Sequence, residues 1–383
     1  MSLNAVSAAV AASIVMLGHL FCQGVAAAEP AGNDRALDVV RKLRATRIIS
    51  IQDYDKINAI DQEGMAGVWS NSPVNDYDRT YRDRLKEYLG VELILVRSPE
   101  LLSEMAAVAE EDAGRLADLW IREATEVKTV TRPDIVRAAR LYFGFKRLLK
   151  KYDAAAITYD SATLSLQPRV VKAWTPLAIL ELSKEQIPCC CQSHVDCLIT
   201  QVIGSYLTDG RQGFVGDVLN DWAFPPIGER PRDVIVIGHC GAPITPVANK
   251  RIPYLIRDHI HSDKPGFGPD DMPTATTVFW PADEPVSVVK FDVHRRKVSI
   301  FGGTALDGEV LYDDFANCIC RNKLVVRIAK PAGCYLLPSD PKEGAFRNWW
   351  GSWGCHQVVF YGDLSPALRE LAGLTGFEVV SNL

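Results

Sequence analysis

The chain has 383 residues, 48% hydrophobic and 23% charged, with a formal net charge of −5. That balance supports one large or two modest hydrophobic cores. No basic patch dominates, which argues against nucleic acid as a partner, and no nucleotide cofactor is expected.

The first 28 residues stand apart. Ala5 to Phe21 is apolar and uncharged, and Ala26-Ala27-Ala28 places small residues ahead of Glu29. This is the pattern of a secretory signal peptide over 1–28, cleaved after Ala28, although Met1 to Asn4 carry no Lys or Arg. Export to a periplasmic or extracellular space is the expectation; the alternative is an unprocessed extension on a cytoplasmic protein. Nothing later in the sequence is long and apolar enough to span a bilayer, so no membrane partner is expected after cleavage. The cysteines pull the other way. There are ten, and an odd number remains without Cys22. Consecutive Cys189, Cys190 and Cys191 do not read as a disulfide framework, and buried free thiols belong more often to reducing compartments.

Arg47 to Asp55 reads as a strand, Tyr81 to Gly90 as a short amphipathic helix, and Val91 to Ser98 as a second strand. Pro99 to Ala124 repeats apolar residues at helical spacing, with a break expected near Gly114. Arg132 to Tyr152 is the strongest helix. Ile135, Ala138, Leu141, Phe145 and Leu148 make one apolar face, and its end is basic. Ala154 to Ser161 is a short buried strand ending near Asp160. Next come the strand-like "QIPCCCQ", a helix from Val195 to Gly210, and the apolar strand Asp233 to Pro243, which carries His239 between glycines.

This alternation predicts an α/β fold: a doubly wound, Rossmann-like parallel sheet over 29–270. Ligands gather beyond the carboxyl ends of strands in such sheets, where Asp160, Gln192, His194 and His239 all fall. From Met272 the character changes. Short β-type runs, from "TATTVFW" through "VSVVKFDV", "KVSIFGG", "KLVVRIAK" and "GCYLLP" to "HQVVFYGD", predict a smaller antiparallel β-rich domain over 271–383, a barrel or sheet. Ser365-Pro366 and Gly376 bracket a last helix. Arg257 to Pro273 reads as a polar loop, with His259 and His261 solvated and outside the site.

Three features invite a functional reading. Cys191, His194 and Cys197 have the spacing of metal ligands on a helical turn, but packing of Cys189 to Cys191 in a strand explains them more simply. His239, His194 and His356 each stand at the edge of a strand or helix, where an imidazole serves as ligand or base. Trp349, Trp350 and Trp353 precede His356 closely, and indole faces stack on sugars.

The order of these motifs resembles the L-fucose and L-arabinose isomerase family. "LSKEQIPCCCQSHVDCLITQVIGSYLTDGRQGFVGDV" is similar to its core segment, "IGHCGAP" to its strand-end histidine motif, and "GCHQVVFYGDLSPALRELAGLTGFEVV" to its C-terminal histidine motif and last helix. The likeness runs roughly from Asp134 to Val380. It implies an aldose–ketose isomerase of carbohydrate metabolism, a homo-oligomer using a divalent metal, usually manganese, held by two carboxylates and histidine. Carried over, the resemblance implies His239, His356 and His194 as metal ligands. His194 and Asp160 become catalytic candidates, and Gln192 and Trp353 contact a small sugar or polyol.

The sequence also departs from the family. Gln192 and His194 stand where the family has glutamate and aspartate. A neutral amide is no general base and a poor cation ligand. A histidine-rich set favours zinc, iron or nickel over manganese. The expectation is therefore a sugar isomerase-like protein with an altered metal site, with Asp270 or Asp271 as reserve carboxylates. The alternative is a non-catalytic exported carbohydrate-binding or scaffold protein on the same fold.

Overall fold

A computed structural model describes residues 32–59, 76–166, 169–219, 224–247, 250–263, 267, 271–337 and 353–382. The signal-peptide expectation, Trp349, Trp350 and Asp270 lie outside these residues. Among the described residues, no helix is long and apolar enough to cross a membrane.

The first half alternates as its periodicity predicts. Helix α1 (Gly32–Arg44) and strand β1 (Arg47–Ile51) are followed by α2 (Asp76–Leu89) and β2 (Glu92–Val96). Helices α3 (Ser98–Ala106), α4 (Glu110–Glu123) and α5 (Arg132–Tyr152) precede β3 (Ala156–Tyr159). Then come a π-helical turn (Ala162–Leu166), α6 (Pro176–Lys184), β4 (Cys189–Cys191) and α7 (Val195–Leu207). The strands form one parallel sheet of four, in the order β2-β1-β3-β4. Local signals set the boundaries. A capping box of Thr131 and Asp134 opens α5, and Asp153 in the left-handed region closes it. The break expected near Gly114 falls instead between α3 and α4, and Gly114 is buried within α4.

The second half is β5 (Phe214–Leu219), β6 (Val234–His239), β7 (Tyr254–Asp258), β8 (Thr274–Val278), β9 (Pro285–Asp292), β10 (Lys297–Leu306), α8 (Gly308–Leu311), β11 (Asn322–Ile328), β12 (His356–Tyr361), α9 (Ser365–Thr375) and β13 (Glu378–Ser381). Here the expected fold class is corrected. β11, β6, β5, β12, β9 and β10 pair antiparallel in that order, and β10 returns to β11. The result is a closed six-stranded barrel, extended by β13 alongside β10. It is not an open sheet trailing a large doubly wound one. β5 and β6, taken from the sequence as further parallel strands, belong to it.

The physical reason lies in burial. β6 is buried at every position after Val234, and β5 at all but Asp217. A strand covered on both faces reads as a continuous apolar run whether it lies in a parallel sheet or in a barrel wall. Two smaller readings change as well. Gly333 to Leu337 forms turns, and the Arg257 end of the expected polar loop is strand, since β7 and β8 pair as a hairpin.

Helix α7 joins the two halves. Every residue but Tyr206 is buried, and the helix packs against β3 and β4 on one side and β9 and β12 on the other. A helix buried on all sides fits only such a sandwiched place. Gly204 permits the close approach: a Cβ there would lie 2.1 Å from the Phe360 ring.

Candidate functional site

β4 ends at Cys191, and the chain turns sharply into α7. Gln192 and Ser193 both adopt positive φ, 69° and 54°. Consecutive non-glycine residues in this region are strained unless the surroundings hold them. The Gln192 N–H donates to the Tyr159 carbonyl at 2.7 Å, and the Ser193 hydroxyl to the Ile51 carbonyl at 3.2 Å. His194 takes the N-cap position of α7, where the Asn58 side chain accepts from the Val195 and Asp196 N–H groups at 2.7 and 3.2 Å. The turn therefore presents Cys191 and His194 beyond the sheet, towards the barrel.

The barrel supplies the rest. His239 ends β6, and His356 begins β12 opposite Asp217 of β5. The three histidines expected from the sequence do come together. The rings of His194 and His356 are 3.6 Å apart between centroids, and those of His239 and His356 are 5.2 Å apart. All three are buried. Gln192 Oε1 lies 3.3 Å from His194 Nε2.

Asp160 and Trp353 have partners of their own. The Asp160 carboxylate accepts from the Ala162 and Thr163 N–H groups at 3.1 and 3.3 Å, and from the Thr163 hydroxyl at 2.5 Å. It caps the π-helical turn, and burial raises its pKa despite those bonds. Trp353 stacks on Tyr335, with centroids 5.4 Å apart and planes at 5°. Asp271 pairs with Arg169 and lies 3.8 Å from Arg137.

Further residues enter the site that sequence reasoning left out. Cys191, read as packing, has its Sγ 3.0 Å from His239 Nδ1. Burial alone would push this thiol up. The hydrogen bond from Cys240, the charge and hydrogen bond of His239, and the charge of His194 outweigh burial and bring it well below the ordinary thiol range. For His239, burial acts downward, but the charge and hydrogen bond of Cys191 prevail and raise it. The two shifts agree on a thiolate–imidazolium pair. Cys240 and His259 stand behind it, with His259 Nε2 2.8 Å from Cys240 Sγ. The expectation of a solvated His259 is thus overturned: it is buried and lies against Trp174. Another is Asp217, whose Oδ1 is 3.4 Å from His356 Nε2. Its signal was the "GDV" quoted above, which held a carboxylate on a barrel strand.

Among the described residues, one group of three has metal-ligand spacing: Asp217, Cys355 and His356, with ligand atoms within 4.8 Å of one another. His194 and His239 lie beside this group without belonging to it. Asp217 is its link to solvent, with a side chain 28% exposed against 1% for His356.

No family model and no curated protein matches this chain.

Proposed function

We propose that the protein is a proton-transfer enzyme for a small hydroxy-carbonyl compound of the sugar or polyol class, with Cys191 and His239 as its acid–base pair. One observation carries this reading: a buried cysteine sulfur 3.0 Å from a histidine nitrogen, with the surroundings favouring the ion pair. Thiolates serve as general bases as carboxylates do, when their pKa is brought near the working pH. The pair answers the difficulty at Gln192 and His194, where the resemblance would place acids.

The chemistry balances without an external oxidant or reductant. The Cys191 thiolate takes the proton from the carbon beside a carbonyl, and the electron pair moves onto the carbonyl oxygen. His239 protonates that oxygen to give an enediol and then takes the hydroxyl proton from the carbon that lost its hydrogen; a carbonyl forms there, and the former carbonyl carbon takes the proton from the Cys191 thiol, which restores the thiolate and the imidazolium. Protonated His239 stabilises the thiolate before the transfer and donates to the developing oxyanion during it. Asp217 marks the route from solvent.

Asp217, Cys355 and His356 also support a metal reading. One oxygen, one sulfur and one nitrogen donor suit zinc or iron(II) better than manganese. A cation held there would polarise the substrate carbonyl as a Lewis acid.

The test is exchange of the carbon-bound proton with D2O, followed by NMR over a panel of aldoses and ketoses from trioses to hexoses. The wild type should exchange at least one member, and Cys191→Ser and His239→Gln should not. Binding of a sugar without exchange would favour the non-catalytic carbohydrate-binding reading instead.

A further inference from the structure

We propose that the protein has a ligand site apart from the one around Cys191, a basic cleft that takes a small phosphate-bearing molecule. A cleft of about 540 Å³ opens where the two halves meet. Arg35 comes to it from the first turn of α1, and Lys184 from the end of α6. Asp209 and Arg211 come from the turn after α7, and Lys250 and Arg251 from the chain between β6 and β7. The lining thus holds five cations and one carboxylate, on a chain whose net charge is −5. Cys191 and its partners lie at the other end of α7, whose 13 residues rise about 20 Å.

Ion pairing accounts for three of the five cations. Arg35 Nη2 lies 2.5 Å from Asp209 Oδ2. Lys184 pairs with Glu123 and Glu181, and Arg251 Nη1 lies 3.8 Å from Glu123 Oε1. Arg211 and Lys250 remain. Among the described residues, neither has a carboxylate at ion-pair distance. A cation just after a helix ordinarily complements the helix carbonyls. Arg211 does not: its Nη1 donates to the Tyr361 carbonyl, at the end of β12, at 3.3 Å. Burial and the charge of Arg35 lower the pKa of Arg211 from its ordinary value, so the cleft is already a positive field for it. An anion between Arg211 and Lys250 relieves that field. A phosphoryl group suits the place better than a carboxylate. It carries about two charges, and its tetrahedral oxygens accept from donors on different sides. Arg211 and Lys250 are such donors, a guanidinium and an ammonium on separate segments. The volume leaves room for a body attached to the phosphate and falls in the range of small-molecule sites.

The test is isothermal titration of the full-length protein with inorganic pyrophosphate, and with malonate as a small dicarboxylate for comparison. The wild type should bind about one pyrophosphate per chain, and more tightly than malonate. Arg211→Gln and Lys250→Gln should each weaken pyrophosphate binding about tenfold, as expected for one charge-assisted hydrogen bond. Arg211→Lys, which keeps the charge and loses the planar fork, should fall between Arg211→Gln and the wild type. Lys150→Gln, on an exposed part of α5, should bind as the wild type does. Lys250 is exposed, so Lys250→Gln should melt at the wild-type temperature without ligand, which separates lost binding from misfolding. A wild type that binds no pyrophosphate overturns the inference, and so does binding that survives in the Arg211→Gln, Lys250→Gln double variant. Malonate bound as tightly as pyrophosphate overturns the phosphate class. Proton exchange by Lys250→Gln should stay at the wild-type rate, so this site and the acid–base reading of Cys191 can each fail alone.

Discussion

β3 and β4 lie side by side, and each is followed by a group able to carry negative charge. Asp160, just beyond β3, looks like the stronger catalytic candidate because it is a carboxylate. Its oxygens are nevertheless occupied by Ala162 and Thr163, in the turn that follows. Cys191, the last residue of β4, looks like packing. The turn after it passes through two positive-φ residues, and the sulfur faces His239. A side chain's role at a strand end is set by where the next three residues take their hydrogen bonds, more than by its own acidity.

The comparison breaks most sharply in activity. Cys191→Ala should lower proton exchange about 10²–10⁴-fold, the usual range for a general base. Asp160→Ala should leave exchange within about threefold of wild type. It should instead cost about 1–3 kcal/mol in urea unfolding, because two buried N–H groups and a hydroxyl lose their acceptor. An Asp160→Ala protein that is stable and inactive would reverse the two assignments.

The next effect concerns the barrel side. If Asp217, Cys355 and His356 hold a cation, elemental analysis should find about one zinc or iron per chain, and His356→Gln should lower occupancy about 10-fold or more. A metal-free wild type that exchanges protons at full rate would confine the chemistry to Cys191 and His239.

Smaller effects probe the helix between the two halves. Gly204→Ala places a methyl against Phe360, and thermal denaturation should show a loss of about 1–3 kcal/mol. Asp196, buried in α7 near Asp292, has its pKa raised to about 7. Its folded value exceeds the unfolded one, so the folded state binds the extra proton between the two. Stability from this group is full in acid and falls as pH rises towards about 7. The melting temperature should therefore decline between pH 4 and pH 8 by a component absent from Asp196→Asn.

Much of the layout was legible beforehand. Arg132–Tyr152 and Ser365–Thr375 follow from apolar spacing and end signals, because helices are local objects. That His194, His239 and His356 each flank an element boundary was also legible, but that they meet was not. Barrel closure was not. It depends on β10 returning to β11 and on Asp217 facing His356, between segments far apart in sequence. Nor could the sequence tell that Asp160 would be consumed by its own turn. Cysteine chemistry was hidden for a similar reason: a thiol counts as apolar in a strand pattern until a histidine arrives from another sheet.

The same arrangement bears on folding. Cys191 gains its partner histidine only when β6 is paired on both sides, with β5 and β11. The β6–β11 pairing joins segments far apart in the sequence, and such contacts form slowly. Until then Cys189, Cys190 and Cys191 are exposed together on an incomplete chain. All nine cysteines in the described residues are free in the finished fold. Refolding yield should therefore depend on reductant far more than the stability of the finished protein does.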